Sequence, residues 1–305
     1  MNDQSEPFAD PSINDVEQLQ KRVRETIEGV QDLPTLPGVV MKVVQLAADE
    51  NVTARQLKEV IVTDPPLSAK VLKAANSAYF ARRDKTESLD QAIVTIGLNE
   101  LISLCVSTGM IESLESWEEK QLHRADIWRH SLATAFLAKS LGLRKDMQKV
   151  GAPDLFLCGL LHNIGWIVID QYFHSELQAL LATAAEVGEW NLEYEHRYLG
   201  LNHAEIGALF LRKWGLPDSV AEVIEFHHDP DKTKDYAAEA AMIGLAATLS
   251  PFEFFPDIHV NAISDHIPHL LKNTEGEAAF REMRQRYEPN IQQAKVMTER
   301  MMSWL

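Results

Sequence analysis

Residues 155–169 read Leu155-Phe156-Leu157-Cys158-Gly159-Leu160-Leu161-His162-Asn163-Ile164-Gly165-Trp166-Ile167-Val168-Ile169, the most apolar window of the chain. A membrane helix needs about 20 apolar residues, so these 15 are too few to cross a bilayer. The window instead predicts a helix buried in a protein core. Histidine and asparagine at its centre are the first hint of a site.

Outward from this window, helical signals repeat. Upstream, Val16, Leu19, Val23, Ile27 and Val30 recur at three- and four-residue steps, one apolar stripe on a 3.6-residue period. Leu33-Pro34-Thr35-Leu36-Pro37-Gly38 ends that helix, because each proline removes a donor and fixes φ. Thr53-x-x-Gln56 and Ser88-x-x-Gln91 fit the capping box, and Asp64-Pro65-Pro66 fits an N-cap with proline in the first turn. Asp154, Asn202 and Asp218 each precede an apolar periodic run and are candidate caps. Asn76-Ser77 reads as a helix end and turn, and Gly215 in Trp214-Gly215-Leu216-Pro217 as a left-handed cap. No segment shows strand alternation with hairpin turns, so the fold class is all-α. The segments are a flexible arm over 1–14, a helical block over 15–120, a second over 121–250, and a C-terminal helical extension over 251–305. In the extension Phe280, Met283, Tyr287, Ile291, Ala294, Met297 and Met301 form a stripe suited to a core or to contact with a second copy. Pro289 is expected to begin a helix there.

The chain has 305 residues, 46% of them hydrophobic, and 29 basic against 45 acidic side chains for a net charge of −16. That composition supports a core and excludes wholesale disorder. The negative charge argues against nucleic acid and anionic membranes as partners, since both attract Lys and Arg. Two cysteines, Cys105 and Cys158, make neither a disulfide framework nor a thiolate zinc site, and no N-terminal signal pattern appears. A reducing, cytoplasmic setting is expected. Phosphate-binding glycine loops, nucleophile elbows and His-Glu-x-x-His motifs are absent from the sequence.

The chemistry concentrates in five histidines of the second block: His130, His162, His203, and the adjacent His227 and His228. Neutral imidazole is a common metal ligand, and these five converge only if tertiary folding brings their helices together. Each also has a plainer reading. A lone histidine on an apolar face is ordinarily a hydrogen-bonded core residue. On one helix His227 and His228 point about 100° apart, so they share a site only if the helix ends there, as Asp229-Pro230 suggests. His123, His174, His196, His259, His266 and His269 read as surface or packing residues.

The order His130…His162-Asn163…His203…His227-His228 resembles the HD superfamily of metal-dependent phosphohydrolases. More specifically, the chain resembles the HDOD domain, the HD-related output domain. The resemblance rests on Leu33-Pro34-Thr35-Leu36-Pro37, Asp64-Pro65-Pro66-Leu67, Asn76-Ser77-Ala78-Tyr79-Phe80 and Ala92-Ile93-Val94-Thr95-Ile96-Gly97-Leu98. It continues through Gly200-Leu201-Asn202-His203-Ala204-Glu205-Ile206-Gly207, Lys213-Trp214-Gly215-Leu216-Pro217 and His227-His228-Asp229-Pro230. This resemblance implies a helical signalling module in which an N-terminal subdomain packs on an HD-like one.

Departures from the hydrolase pattern then matter. Asn163 stands where that pattern has a metal-binding Asp, Trp166 where active two-metal enzymes carry Lys, and Ala247 aligns with the last metal-binding Asp. Two cations held about 3.5–4 Å apart need anionic bridges, which an amide and a methyl do not supply. The expected site is therefore degenerate: metal candidates His130, His162, His203, His227 and His228, pocket residues Asn163 and Trp166, and no catalytic residue. It holds no cofactor or a single Zn, Fe, Ni or Mn ion. Expected function is regulation through a signalling partner protein or small ligand; the competing reading is a residual phosphohydrolase.

Overall fold

The structure, a computed structural model, describes residues 13–30, 37–47, 49, 51–76, 85–115, 117, 120–142, 154–187, 190–252 and 274–303. The expected arm before residue 13, Pro34, Ser77 to Phe80, His259, His266 and His269 lie outside them. Every regular element among the described residues is helical, and the chain is all-α as the spacing predicts.

In the first block, α2 (Gly38–Ala47), α4 (Pro65–Ala75) and α5 (Leu89–Ile96) pack on α6 (Leu98–Glu115), and α3 (Ala54–Ile61) packs on α2, α4 and α5. The capping chemistry places these helices. Thr53 and Gln56 form a reciprocal capping box, and the Asp64 side chain accepts from the Leu67 amide ahead of Pro65 and Pro66. Ser88 caps α5, but Gln91 reaches past it to accept from the Glu87 amide, so the expected box is half formed. Asn76 ends α4 and donates to the carbonyls of Leu72 (2.8 Å) and Thr86 (2.7 Å). Its own Oδ1 accepts from the Thr86 amide (2.8 Å), which pins the turn at its far end.

α7 (Arg124–Gly142) is the spine of the second block. It is apolar on most faces because it is covered on most sides, by α8 (Leu155–Leu161), α14 (Ala237–Leu249) and α15 (Thr274–Met302). The junction before it is tied down by Asp170, whose buried carboxylate accepts from the Lys120 (3.1 Å) and Gln121 (2.9 Å) amides. Arg124 donates to the Leu114 carbonyl (2.7 Å) at the end of α6, where cations oppose the helix dipole.

The opening window is not one helix. It breaks at His162-Asn163 into α8 and α9 (Ile164–Tyr172), because each half packs on a different neighbour, α8 on α7 and α9 on α12 (His203–Lys213). α10 (His174–Val187) and α11 (Leu192–Leu199) follow, and α13 (Asp218–Glu225) precedes a 3₁₀ turn at Pro230–Lys232. α1 (Ile13–Gly29) packs on α11 and α12: Gln20 donates to the Gly200 carbonyl (2.9 Å) and Lys213 to that of Ile27 (2.8 Å).

Asp154 and Asn202 cap their helices as expected, and Gly215 has φ 81°. Two expectations fail. Asp218 is the first residue of α13, with Pro217 before it, and its carboxylate accepts from Arg212 Nε (2.8 Å) instead of a backbone amide. Pro289 lies inside α15 rather than at its start. The stripe Phe280, Ile291, Ala294 and Met301 is buried while Pro289 sits on the exposed side, so packing on α7 carries the helix through. Among the described residues no single helix is long and apolar enough to cross a membrane.

Candidate metal centre

The break in the apolar window is what exposes the chemistry. His162 is the C-cap of α8 and Asn163 the N-cap of α9, so both side chains leave the helix faces at one corner. Asparagine is a strong N-cap, yet Asn163 makes no capping bond; it is 3% exposed and its Oδ1 has no partner. His130 comes from α7, His203 opens α12, and α13 ends at Glu225, which frees His227 and His228 to turn off its end.

These five rings meet. His162 lies 5.3 Å from both His130 and His227, centroid to centroid, and His203 lies 5.7 Å from His227 and 4.8 Å from His228. The candidate ligand atoms of His203, His227 and His228 lie within 4.8 Å of one another.

Their tautomers follow from their partners. A backbone carbonyl only accepts, so Nδ1 donates from His130 to Phe252 (2.7 Å), from His162 to Gly159 (2.8 Å) and from His227 to Ile224 (2.6 Å). Each of these rings then keeps its lone pair on Nε2. For His130 and His162 that Nε2 is buried without a hydrogen-bond partner. Burial, above all else, holds His130 below and His162 and His227 well below the ordinary imidazole value, and neighbouring imidazoles add to it. His130, His162 and His227 thus line the pocket as neutral rings.

His203 is oriented differently. Its Nδ1 donates to the carboxylate of Glu195, 2.8 Å from Oε2, and its backbone amide donates to the same oxygen (2.6 Å). Trp190 Nε1 donates to the other oxygen (3.2 Å), and Glu195 is fully buried. The Nε2 atoms of His203 and His228 lie 3.1 Å apart, within hydrogen-bond distance. Trp166 stacks on His203 at 4.9 Å and 20°, and packs edge-on against Trp190 at 5.1 Å.

The sequence reading missed Glu195. It sits on α11, outside every quoted motif, and is one acid among 45; its only signal was to lie eight residues ahead of a candidate ligand. Glu239 on α14 was missed too: it is buried and its Oε2 is unpartnered. Ala247, further along α14, is buried and offers no donor. His196 binds Glu205 (3.0 Å) away from the cluster, and His123 is exposed. Both cysteines are free and buried. Burial, then Asp64, pushes the Cys105 thiol up to about 12, and burial raises Cys158 well above its usual value, so neither offers a thiolate.

The donor set fits one transition metal. Buried imidazoles with unpartnered Nε2 atoms, fixed at Nδ1 by carbonyls or a carboxylate, are the usual arrangement around such an ion. His203, His227 and His228 would hold it, since their candidate ligand atoms lie within 4.8 Å of one another; His130 and His162 pack beside that group and are not part of it. Bound there, an ion of this kind acts as a structural tie or a Lewis acid. The protein's own contribution is to hold the rings neutral, fix which nitrogen faces inward, and exclude water.

Over residues 33–230 the sequence matches the HDOD domain family. A solved HDOD domain protein from Geobacter sulfurreducens is 22% identical with a TM-score of 0.72, the match covering 94% of this chain and 99% of that one. A "Putative signal transduction protein" from Marinobacter aquaeolei VT8 is 20% identical (TM-score 0.67; 94% and 66% covered). A "Putative phosphohydrolase" from Shewanella amazonensis SB2B is 25% identical (TM-score 0.61; 74% and 79% covered). An uncharacterized protein of Treponema pallidum (strain Nichols) is 27% identical over 230 residues, 75% of this chain but 44% of that protein. The chain thus spans less than half the length of that relative. With the family match extending over well more than half the sequence, and with the helical fold it shares, the chain belongs to the HDOD domain family.

Proposed function

We propose that this chain is a non-catalytic regulatory module whose imidazole cluster binds one transition-metal ion and acts by recognition instead of hydrolysis. One observation carries the reading: five buried histidines converge where the only group at the doublet position is the amide of Asn163. A single divalent ion among neutral imidazoles, with Glu195 behind His203, is electrostatically balanced to within one charge. Two divalent ions at ~4 Å repel by about 17 kcal/mol at an effective dielectric of about 20, and among the described residues no carboxylate joins the group formed by His203, His227 and His228. The signal-transduction name borne by the Marinobacter protein is consistent with this role.

A phosphohydrolase is the second reading, favoured by the name of the Shewanella protein and by the buried, unpartnered oxygen of Glu239. Purified protein loaded in turn with Zn, Fe, Ni and Mn, then assayed on cyclic dinucleotides, nucleotides and phosphate esters, separates the two. The regulatory reading expects no turnover above the His162→Ala background. Turnover lost in both His162→Ala and His203→Ala establishes the hydrolase.

A further inference from the structure

A cavity of about 150 Å³ lies away from the histidines, enclosed by α6, α7, the start of α8 and the last turns of α15. Its walls thus come from the first block, the second block and the C-terminal helix. His130 and Lys139 share α7 but are nine residues apart, so the cavity and the imidazole cluster are separated by roughly 13 Å along that helix. Packed interiors leave few voids larger than one water molecule, and this one is far larger.

The floor is apolar. Phe136 and Phe156 meet edge-to-face at 5.2 Å and 70°, and Leu104, Ala294 and Met297 complete it. A third aromatic ring packs favourably against such a pair. The charges at the rim are already matched. Lys139 pairs with Glu100 at 3.2 Å and lies over the Phe156 ring at 5.8 Å, and Arg300 has a partner of its own. An ion entering the cavity would lose its water without gaining a free counter-charge, so the occupant is uncharged. A dry apolar cavity of about 150 Å³ accommodates benzene, which sets the occupant's body at one six-membered ring. One polar pair also lines the cavity. Asn290 Nδ2 donates to Ser140 Oγ (2.5 Å), which leaves the Ser140 hydroxyl a proton to give and Asn290 Oδ1 a lone pair to offer. A single hydroxyl on the ring, which both accepts and donates, matches the two.

We propose that this cavity binds a small uncharged phenol, its ring against Phe136 and Phe156 and its hydroxyl at Ser140 and Asn290. Because α15 forms one wall, occupancy ties the C-terminal helix to α6 and α7. The site stands independently of the histidine cluster and of any metal there.

Fluorine NMR titration of the full chain with 4-fluorophenol, fluorobenzene and 4-fluorobenzoate tests it. The expected result is one saturable site for 4-fluorophenol, with fluorobenzene held about fivefold more weakly for want of the hydrogen bonds. The benzoate binds roughly tenfold more weakly than the phenol, or worse, since no counter-charge is free. Ser140→Ala removes most of the preference for the phenol and leaves fluorobenzene binding unchanged. Ala294→Leu places a larger side chain in the cavity and abolishes binding of both; if that variant does not fold, Ser140→Ala decides alone. The proposal is overturned if 4-fluorophenol shows no saturable binding, or if fluorobenzene or 4-fluorobenzoate binds as tightly as the phenol. It is equally overturned if Ser140→Ala keeps the preference in full, or if folded Ala294→Leu binds like the parent.

Discussion

At the scale of single residues, the decisive fact is that five imidazoles are buried and three of them are held neutral. In the unfolded chain these rings titrate near ~6.5, so below that pH the unfolded state binds more protons than the folded one. Their contribution is present above ~6.5 and is lost as the pH falls. His196 works in the opposite direction: its bond to Glu205 raises it, so its share is present at low pH and lost as the pH rises. One half-exposed ring does not outweigh three buried ones. The metal-free protein should therefore show a lower urea midpoint at about pH 5 than at about pH 7.5, and His162→Gln should shrink the difference. Equal midpoints contradict a neutral cluster. Asn163→Asp tests the other half of the residue account: it inserts an unpaired buried carboxylate, expected to cost about 3 kcal/mol or more in chelator and to recover when divalent metal is added. The histidines themselves were legible, because their order and spacing carry the resemblance. Glu195 was not, since a carboxylate behind a ligand needs only spatial proximity and obeys no spacing rule.

At the scale of helices, two close crossings hold the cluster together. A Cβ on Gly165 would lie 1.8 Å from the His203 carbonyl oxygen, and one on Gly159 would lie 2.7 Å from the Ala135 Cα. Both obstacles are backbone, so α9 against α12 and α8 against α7 leave no room for a methyl group. Gly165→Ala should destabilise the chain by about 3 kcal/mol or more and reduce bound metal, since it displaces the segment that opens with His203. A melting temperature within a degree or so of the parent rejects this crossing as the device that positions the ring. Pro289→Ala should act in the opposite direction. It restores a backbone donor on the exposed side of α15, at a position where proline costs up to about 3 kcal/mol, and should raise the unfolding midpoint. The caps at Thr53, Asp64, Asp154 and Asn202 were legible because side chain and amide lie within one turn of sequence. Neither the break at His162-Asn163 nor the unbroken run through Pro289 was legible, because each is decided by what packs against the helix.

At the scale of the whole molecule, the first and last described helices fold back on the second block. α1 is pinned to Gly200 and to Lys213, and α15 lies along α7, so the first and last helices both cover the half that holds the histidines. No local pattern announces that α1 docks on α11 and α12, since its apolar stripe would serve equally against any partner surface. The all-α class was legible because it needs only the period of the apolar residues. The central claim at this scale is that the fold has kept a ligand cage for one ion and given up the means to bridge two. Native mass spectrometry of the intact chain, loaded with excess Zn, Fe, Ni or Mn and freed of loosely bound ions, counts them directly. One ion per chain in the parent, and none in His203→Ala or His227→Ala, is the result this account expects. Two ions per chain, both lost in either variant, would contradict it.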